Sequence, residues 1–130
     1  MKTPKTVLIG LTAAAIAALG VVASPADAAD SCVGKVGITL KDGNLIKGSG
    51  YISGCSGTSH TIHMRIEKKT ILGAWSTLVH KDVTGGNGAS GGMAYNCSGT
   101  GTQTYQTVVD WYTVGGDYKK AVSNNIRVSC

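Results

Sequence analysis

The residues that could do chemistry are few, and the most suggestive set is a histidine, an aspartate and a serine. His60 or His63, then Asp82, then Ser90 follow one another along the chain. A histidine base, a carboxylate that orients it and a serine nucleophile are the components of acyl transfer. The first question is therefore whether this chain can assemble a serine hydrolase.

The segment around Ser90 reads Gly-Ala-Ser-Gly-Gly and resembles the Gly-Asp-Ser-Gly-Gly nucleophile loop of trypsin-like proteases. The resemblance implies a nucleophilic Ser90, but three features oppose it. Ala89 stands where that loop has its aspartate, and neither histidine lies in the Ala-Ala-His-Cys context of the family. The chain is also too short for two six-stranded barrels with a cleft between them. We therefore expect no enzymatic activity and no catalytic residue.

The remaining reactive residues do not indicate a metal or cofactor site. His60 and His63 are three residues apart on an expected strand, where their side chains point to opposite faces. The cysteines lack the Cys-x-x-Cys pair that many zinc sites use. Glu67 is the only glutamate, and Asp110 is better interpreted as a paired or solvated strand residue than as a general acid. We expect no metal and no cofactor.

The four cysteines, Cys32, Cys55, Cys97 and Cys130, instead predict two disulfides. An even number of cysteines in a short secreted chain is typical of a disulfide-stapled domain. Three pairings are possible. We favour Cys32–Cys55 with Cys97–Cys130, because sequential pairing does not require the two loops to cross. Each bridge is expected to stabilise the fold by roughly 3 kcal/mol.

Residues 1–28 have the features of a secretory signal peptide. Two lysines precede an apolar run over residues 7–23, and Ala26-Asp27-Ala28 supplies a small-x-small cleavage pattern. A transmembrane anchor is the alternative for a run of this length, but the run contains glycine and threonine and ends in a Ser-Pro pair. We expect a secreted, extracellular protein that consists of residues 29–130 and that has no membrane partner in its mature form.

The composition of residues 29–130 is typical of one small, loop-rich domain. This part keeps 17 of the 19 glycines, and the chain has no phenylalanine, so only a modest core can form. Its formal net charge is +4, against +5 for the whole chain. Only Lys68-Lys69 and Lys119-Lys120 place basic residues side by side, which does not make a nucleic-acid-binding patch. We expect neither a second domain nor a nucleic-acid partner.

Hydrophobic and polar residues alternate at a period of two along most of residues 29–130, which predicts strands rather than helices. We expect about seven short strands in a small, disulfide-stapled antiparallel β-sandwich or barrel. The expected elements are a strand through Val36, Ile38 and Leu40, a hairpin turn at Asp42-Gly43, strands over residues 45–55, 61–69 and 71–79, a mobile surface loop over residues 85–92, strands over residues 93–97 and 102–114, a turn at Gly115-Gly116, and a strand over residues 126–130.

The sequence Cys-Ser-Gly-Thr occurs twice, at residues 55–58 and 97–100. The other two cysteines do not share the spacing of the two copies, and the strands that follow differ in phase, so a simple duplication is not indicated. We interpret each copy as a disulfide at the end of a strand, a Ser-Gly turn, and a threonine that begins the next strand.

Large aromatic residues are candidates both for the core and for a binding surface, because tryptophan and tyrosine suit either place. A core without phenylalanine must use some of them. We expect Trp75 in the core and Tyr112 at the surface. The candidates for contact with a partner are Trp111 and Tyr112, together with the short segment Ala29-Asp30-Ser31, which could enter a cleft of a partner.

Three stretches carry a resemblance to known proteins: CSGTGTQTY at residues 97–105, VVDWY at residues 108–112 and NIRVSC at residues 125–130. With these stretches, residues 30–130 resemble a group of small secreted actinobacterial proteins. Some of them are similar to the adaptor subunit of umbrella toxin particles. That adaptor bridges a lectin-bearing subunit with a protease-like fold and a large toxin subunit with a ring of repeats.

The resemblance implies a non-enzymatic bridging role in interbacterial antagonism, with those two larger subunits as the partners. Its motifs are structural and carry no particular binding residue onto this chain. A carbohydrate- or cell-wall-binding module, with Trp111 and Tyr112 as a stacking platform, is the alternative from another class. A secreted enzyme inhibitor is the third.

Overall fold

The computed structural model describes residues 32–55 and 59–130, which form nine strands and no helix. The predicted signal peptide and the segment Ala29-Asp30-Ser31 lie outside the described residues. All strand pairings are antiparallel, so the all-β prediction is confirmed. The strands are β1 (Val33–Val36), β2 (Leu40–Asp42), β3 (Leu45–Ser53), β4 (His60–Lys69), β5 (Trp75–Gly85), β6 (Ser90–Asn96), β7 (Thr102–Tyr112), β8 (Tyr118–Val122) and β9 (Ile126–Ser129).

The strands form two sheets that pack face to face. In the first, which we call the β3 sheet, β3 pairs with β6 on one edge, and with β1 and β2 in succession on the other. In the second, the β4 sheet, the order is β5-β4-β7, and β8 and β9 share the remaining edge of β7. Contacts of β3 with β4 and of β1 with β7 join the two layers.

The period-two alternation decides which side chains enter the space between the sheets. In β4, Ile62, Met64 and Ile66 are buried between the layers. In β7, Tyr105 and Trp111 belong to the same inward-facing set. Alternate residues of a strand point to opposite faces, so the residues between them lie on the outer face of the β4 sheet.

The core consists of two clusters, and each contains one disulfide. Cys32 packs with Trp111 in the first cluster, and Cys55 lies against it. Cys97 packs with Tyr105 in the second cluster, and Cys130 lies against that one. The bonds are Cys32–Cys55 and Cys97–Cys130, so the predicted pairing is confirmed. Each end of the small sandwich thus has its own covalent link beside its apolar cluster.

Glycines on the inner face of β3 allow the two sheets to approach closely. A Cβ atom added at Gly50 would lie 2.7 Å from Val109 Cγ2 and 2.8 Å from Met64 Sδ. A Cβ atom added at Gly48 would lie 2.2 Å from Thr107 Oγ1. These distances are shorter than side-chain packing permits, so the glycines are needed for contact between the layers.

We expect Gly50→Ala to lower the free energy of unfolding by about 1–3 kcal/mol, because the new methyl group overpacks the interface between the sheets. Gly92→Ala is the matched control, since a Cβ atom there has no neighbour closer than 3.8 Å. Urea unfolding followed by tryptophan fluorescence measures both variants. Equal midpoints for Gly50→Ala and the wild type would show that the layers are not tightly packed at this point.

Three predicted elements differ from the structure. The predicted strand over residues 71–79 begins only at Trp75, because residues 70–74 form a hydrogen-bonded turn. The mobile loop was predicted to extend to residue 92. This is wrong for residues 90–92, because β6 begins at Ser90 and pairs with β3. The predicted strand through Ile38 is interrupted at residues 37–39, and its two parts pair with different segments of β3.

The aromatic residues also divide differently from the expectation. Trp75 is only half-buried and does not belong to either core cluster, so the prediction that it lies in the core is wrong. Trp111 lies in the first cluster instead. Trp75 is the first residue of the edge strand β5, immediately after the exposed turn, so only part of its surface can be covered.

The second Cys-Ser-Gly-Thr sequence has the predicted disulfide and turn, but Thr100 does not begin the next strand as predicted, because β7 begins at Thr102. It follows the end of β6, and the amide of Thr100 donates to the carbonyl oxygen of Cys97 at 3.0 Å, which closes a tight turn. Gly99 has a φ of 77°, a conformation that favours glycine. The Ser-Gly turn prediction is therefore confirmed for residues 97–100. In the first copy, residues 56–58 lie outside the described residues.

Candidate interaction surfaces

The residues of the hypothetical serine-hydrolase site are not brought together. His63 Nδ1 lies 2.8 Å from Asp82 Oδ1 on the outer face of the β4 sheet. Ser90 opens β6 in the other sheet, opposite Tyr51 of β3. Gly91, the next residue, faces Val83 in the interior, so Ser90 points away from it, towards the outer face of the β3 sheet. The histidine–aspartate pair and the serine are thus on opposite sides of the sandwich.

Two further findings concern metals and membranes. Within residues 32–55 and 59–130, no three His, Cys, Asp or Glu residues come close enough together to hold a metal ion. The same residues include no helix of the length and apolarity that a membrane crossing requires.

A network of charged and polar side chains covers the outer face of the β4 sheet, and we call it the Arg65 cluster. The Arg65 guanidinium donates from Nε to Glu67 Oε2 at 2.6 Å, and from Nη1 to Asp110 Oδ2. Gln106 Nε2 donates to the other oxygen of Glu67 at 2.9 Å. The Tyr118 hydroxyl donates to Asp110 Oδ2 at 2.9 Å. The cluster joins β4, β7 and β8 across the sheet.

The electrostatics of this cluster favour its charged state. Burial of the guanidinium opposes its charge, but hydrogen bonds and opposite charges from Glu67 and Asp110 outweigh burial and raise the pKa of Arg65. The pKa of Tyr118 is raised as well, first by desolvation and then by its hydrogen bond to Asp110. Tyr118 therefore remains a neutral donor that the Asp110 carboxylate holds in place.

A second network holds the segment before β2 against the opposite sheet. Thr39 Oγ1 lies 2.7 Å from Thr107 Oγ1 and 2.7 Å from Ser123 Oγ. Asn124 accepts from the Thr39 amide at 2.9 Å and donates to the Thr39 carbonyl oxygen at 3.1 Å, as a paired strand would. The backbone beside Ile38 is thereby fixed, which determines where the Ile38 side chain points.

The two aromatic residues proposed for partner contact occupy different environments. Trp111 is 6% exposed and packs in the core, whereas Tyr112 is 59% exposed on the outer face of the β4 sheet. They alternate in β7, so they cannot form one stacking platform. Of this pair, Tyr112 is the residue whose side chain is available to a partner.

Tyr112 belongs to a larger exposed group, which we call the tyrosine surface and define as Tyr112, Val114 and Tyr118. Tyr112 and Tyr118 lie opposite each other in β7 and β8, with ring centroids 5.5 Å apart in an edge-to-face contact. Val114 is 70% exposed in the turn between them. Because the Tyr118 hydroxyl is bound to Asp110, the Arg65 cluster fixes the geometry of this surface.

A shallow groove lies on the outer face of the β3 sheet, and we call it the Ile38 groove. It encloses about 480 Å³, and its walls include Ile38 and Leu40, both exposed. Small residues of β3 and β6, among them Ser49, Gly92 and Ala94, line it as well, and Lys47 and Met93 complete the lining. Small residues beside exposed aliphatic walls leave room for an apolar side chain or an extended segment of a partner.

Sequence reasoning missed the Ile38 groove, because Ile38 and Leu40 were expected to continue one strand with Val36. The structure breaks that strand at residues 37–39. The sequence held one signal of a groove, namely the small residues Gly91, Gly92 and Ala94 in a segment of otherwise alternating pattern. Without the register of β3 against β6, this signal could not be placed opposite Ile38.

The comparisons with known proteins are negative. No family model, curated protein or solved structure matches this chain at a significant level.

Proposed function

We propose that this protein is a secreted, non-enzymatic adaptor that bridges two larger subunits of an antibacterial toxin complex. The observation that carries the proposal is the presence of two exposed apolar surfaces on opposite faces of one rigid sandwich. The tyrosine surface lies outside the β4 sheet, and the Ile38 groove lies outside the β3 sheet. Opposite faces allow two large partners to bind at once without a collision between them.

The chemistry of the two surfaces supports protein partners. Tyrosine is among the residues that contribute most to the binding energy of protein interfaces, and the buried centre of such an interface is more apolar than its rim. Both surfaces are held by hydrogen-bonded networks, the first by Asp110 and the second by Asn124. A fixed surface loses little conformational entropy on binding, which favours affinity.

The identity of the partners rests on the resemblance of residues 97–105, 108–112 and 125–130 to the adaptor of umbrella toxin particles. The proposal therefore assigns a lectin-bearing subunit to one surface and a repeat-bearing toxin subunit to the other. Secretion is part of the proposal and is supported by the signal-peptide features of residues 1–28. The two disulfides agree with it, since such bonds persist in oxidising compartments.

The alternative, a carbohydrate-binding module, has less support. A sugar platform built from Trp111 and Tyr112 needs both rings on one face, whereas Trp111 is buried in the core. The rings of Tyr112 and Tyr118 meet edge to face, at an interplanar angle of 62°, and do not form one flat platform. No observation favours this function over the adaptor.

The proposal predicts that each surface can be disabled separately. We expect Tyr112→Asp to weaken the binding of one subunit, and Ile38→Asp that of the other, each by at least about 10-fold. Both residues are exposed, so a charge there does not disturb the core. The measurement is affinity purification of tagged protein from culture supernatant, with the two co-purified subunits identified by mass and quantified.

Leu72→Asp is the matched control, because Leu72 is an exposed apolar residue outside both surfaces. This variant is expected to retain both subunits. Near-ultraviolet circular dichroism establishes that all three variants keep the native packing. If Tyr112→Asp and Ile38→Asp both retain the two subunits in full, the proposed bridging surfaces are wrong.

A further inference from the structure

The turn between β4 and β5 is rigid and carries two apolar side chains at its tip. We call residues 70–74 the Ile71 turn. The Gly73 amide donates to the Thr70 carbonyl oxygen at 2.9 Å, which places Ile71 and Leu72 at the two central positions. The Thr70 amide donates to the carbonyl oxygen of Ala74 at 2.7 Å. The Ala74 amide in turn donates to the Thr70 hydroxyl at 3.1 Å. Gly73, with a φ of 88°, completes a closed turn.

These two side chains are the most exposed of the large hydrophobic residues in the described part of the chain. Ile71 is 101% exposed and Leu72 is 92% exposed, so neither contributes to the core. Tight turns usually carry polar residues, glycine or proline at such positions. Two adjacent, fully exposed aliphatic side chains on a turn form an apolar tip that the folded chain itself leaves uncovered.

A polar depression of about 320 Å³ lies beside Ile71 on the same end of the molecule. Lys69 and Arg127 supply its positive charge, and none of its lining residues is acidic. Arg127 Nη1 donates to the hydroxyl of Thr104 at 3.2 Å, which orients the guanidinium. The remaining lining residues are hydrogen-bonding: Thr70, Thr102 and Gln103. Two cations among hydroxyl and amide groups suit a phosphate group.

The acidic residues of the described part of the chain do not neutralise these two cations. Glu67 and Asp110 are paired with Arg65, and Asp82 with His63. Among residues 32–55 and 59–130, the ion pairs include neither Lys69 nor Arg127. Their charge is therefore available to an anionic ligand that reaches the depression.

A half-buried tryptophan lies next to the turn. The Lys69 ammonium is 6.0 Å from the centre of the Trp75 ring, and the two residues face each other across β4 and β5. Tryptophan is enriched at the boundary between lipid headgroups and acyl chains, and lysine and arginine bind anionic headgroups. The exposed aliphatic tip thus lies next to a tryptophan and two cations, the residue types that contact acyl chains, the interface and headgroup phosphates of a bilayer.

We propose, against the expectation from the sequence that the mature chain has no membrane partner, that the Ile71 turn docks on an anionic phospholipid bilayer. Ile71 and Leu72 enter the boundary of the acyl chains, Trp75 lies at the interface, and a headgroup phosphate binds between Lys69 and Arg127. The turn follows the end of β4, whereas the tyrosine surface lies at the opposite end of that sheet, because β4 and β7 are antiparallel. Bilayer contact therefore leaves the tyrosine surface free, and the Ile38 groove lies on the outer face of the other sheet.

The test is co-sedimentation of the purified protein with vesicles. Binding is expected to vesicles of phosphatidylglycerol and phosphatidylcholine in equal parts, and to fall with added salt. The double variant Ile71→Asp/Leu72→Asp is expected to lower the partition coefficient by roughly 100-fold, which is about 2.8 kcal/mol at 1.4 kcal/mol per tenfold. Lys69→Gln/Arg127→Gln is expected to lower it by about 30-fold, and to remove most of the salt dependence.

Three further measurements distinguish bilayer binding from protein binding and from binding of a soluble anion. Tyr112→Asp is expected to bind vesicles like the wild type, so a failure of the adaptor proposal does not affect this result. Inorganic phosphate alone is expected not to shift the tryptophan emission, whereas anionic vesicles shift it to shorter wavelength and Trp75→Phe abolishes that shift. A shift with free phosphate alone would assign the depression to a soluble anion and would overturn the proposal.

The bilayer proposal would also be overturned if the protein bound vesicles of pure phosphatidylcholine as well as vesicles that contain phosphatidylglycerol. Binding by Ile71→Asp/Leu72→Asp at the level of the wild type would overturn it too. If no vesicle binds and the same double variant instead loses one of the two subunits in affinity purification, the Ile71 turn is a protein contact and the bilayer proposal is wrong.

Discussion

Replacement of Arg65 by methionine is expected to lower the free energy of unfolding by about 3–5 kcal/mol, because the variant leaves two buried carboxylates without a positive partner. Glu67 and Asp110 are both buried on the outer face of the β4 sheet, and Arg65 binds both of them. The Arg65 side chain is 24% exposed, which places the expected loss near the lower end of that range. Urea unfolding at neutral pH, followed by fluorescence, measures the loss.

Two comparisons identify the cause of the loss. In an Arg65→Met background, Glu67→Gln with Asp110→Asn is expected to restore part of the stability, because neutral amides cost less to bury than carboxylates. Lys47→Ala breaks the exposed ion pair with Asp42, and its urea midpoint is expected to equal that of the wild type, because solvent screens such a pair. Arg65→Met with a stability equal to that of Lys47→Ala would contradict the role given to the cluster.

Removal of the disulfide between Cys97 and Cys130 by alanine substitution of both residues is expected to lower the free energy of unfolding by about 3.5 kcal/mol. The same change at Cys32 and Cys55 is expected to cost nearly as much, with a difference of only about 0.3 kcal/mol between the two. The bonds close loops of 33 and 23 residues, and a longer loop removes more entropy from the unfolded chain. Small domains have a total stability of about 5–10 kcal/mol, so loss of both bonds is expected to prevent folding.

The two disulfide variants are expected to differ locally as well. Cys130 follows β9 directly, and β9 pairs only with β7 among the described strands. Loss of the Cys97–Cys130 bond is therefore expected to accelerate amide exchange in Ile126–Ser129, whereas loss of the other bond leaves it unchanged until global unfolding. Hydrogen exchange measured by mass spectrometry tests this. The same exchange rate for Ile126–Ser129 in both variants would show that the bond does not hold β9 in place.

The all-β fold class and the disulfide pairing could be predicted from the sequence. The first depends on local alternation of residues, and the second on the order of the cysteines along the chain. Alternation such as Ile62-His63-Met64 fixes the two faces of a strand within a few residues. Sequential pairing of Cys32 with Cys55, and of Cys97 with Cys130, requires no crossing of the two loops. Both signals are present in the sequence without knowledge of the sheet order.

The start of β5 could not be predicted, because it depends on the register of two strands. Ile71 has strong strand propensity and Leu72 is apolar, but the backbone of residues 70–74 closes a turn between β4 and β5 instead. The pairing shifts by one residue near Ile66 and Glu67, so this hairpin is irregular. Trp75 follows the turn on an edge strand, which is why its expected place in the core was wrong.

The candidate surfaces were only partly predictable for the same reason. The exposure of Tyr112 was expected from the sequence, and Asp110 was interpreted as a paired or solvated strand residue. Arg65, the partner of Asp110, is 45 residues away in sequence, and only the pairing of β4 with β7 brings these two residues together. The Ile38 groove likewise needs β2, β3 and β6 in register.

The bridging of two partners by this chain is the central claim, and native mass spectrometry of the secreted assembly tests it most directly. The claim predicts one species that contains this protein together with both the lectin-bearing and the repeat-bearing subunits. It also predicts that Tyr112→Asp and Ile38→Asp each convert that species into a different binary complex. Recovery of the monomer alone, or of two binary complexes that never combine, would contradict it.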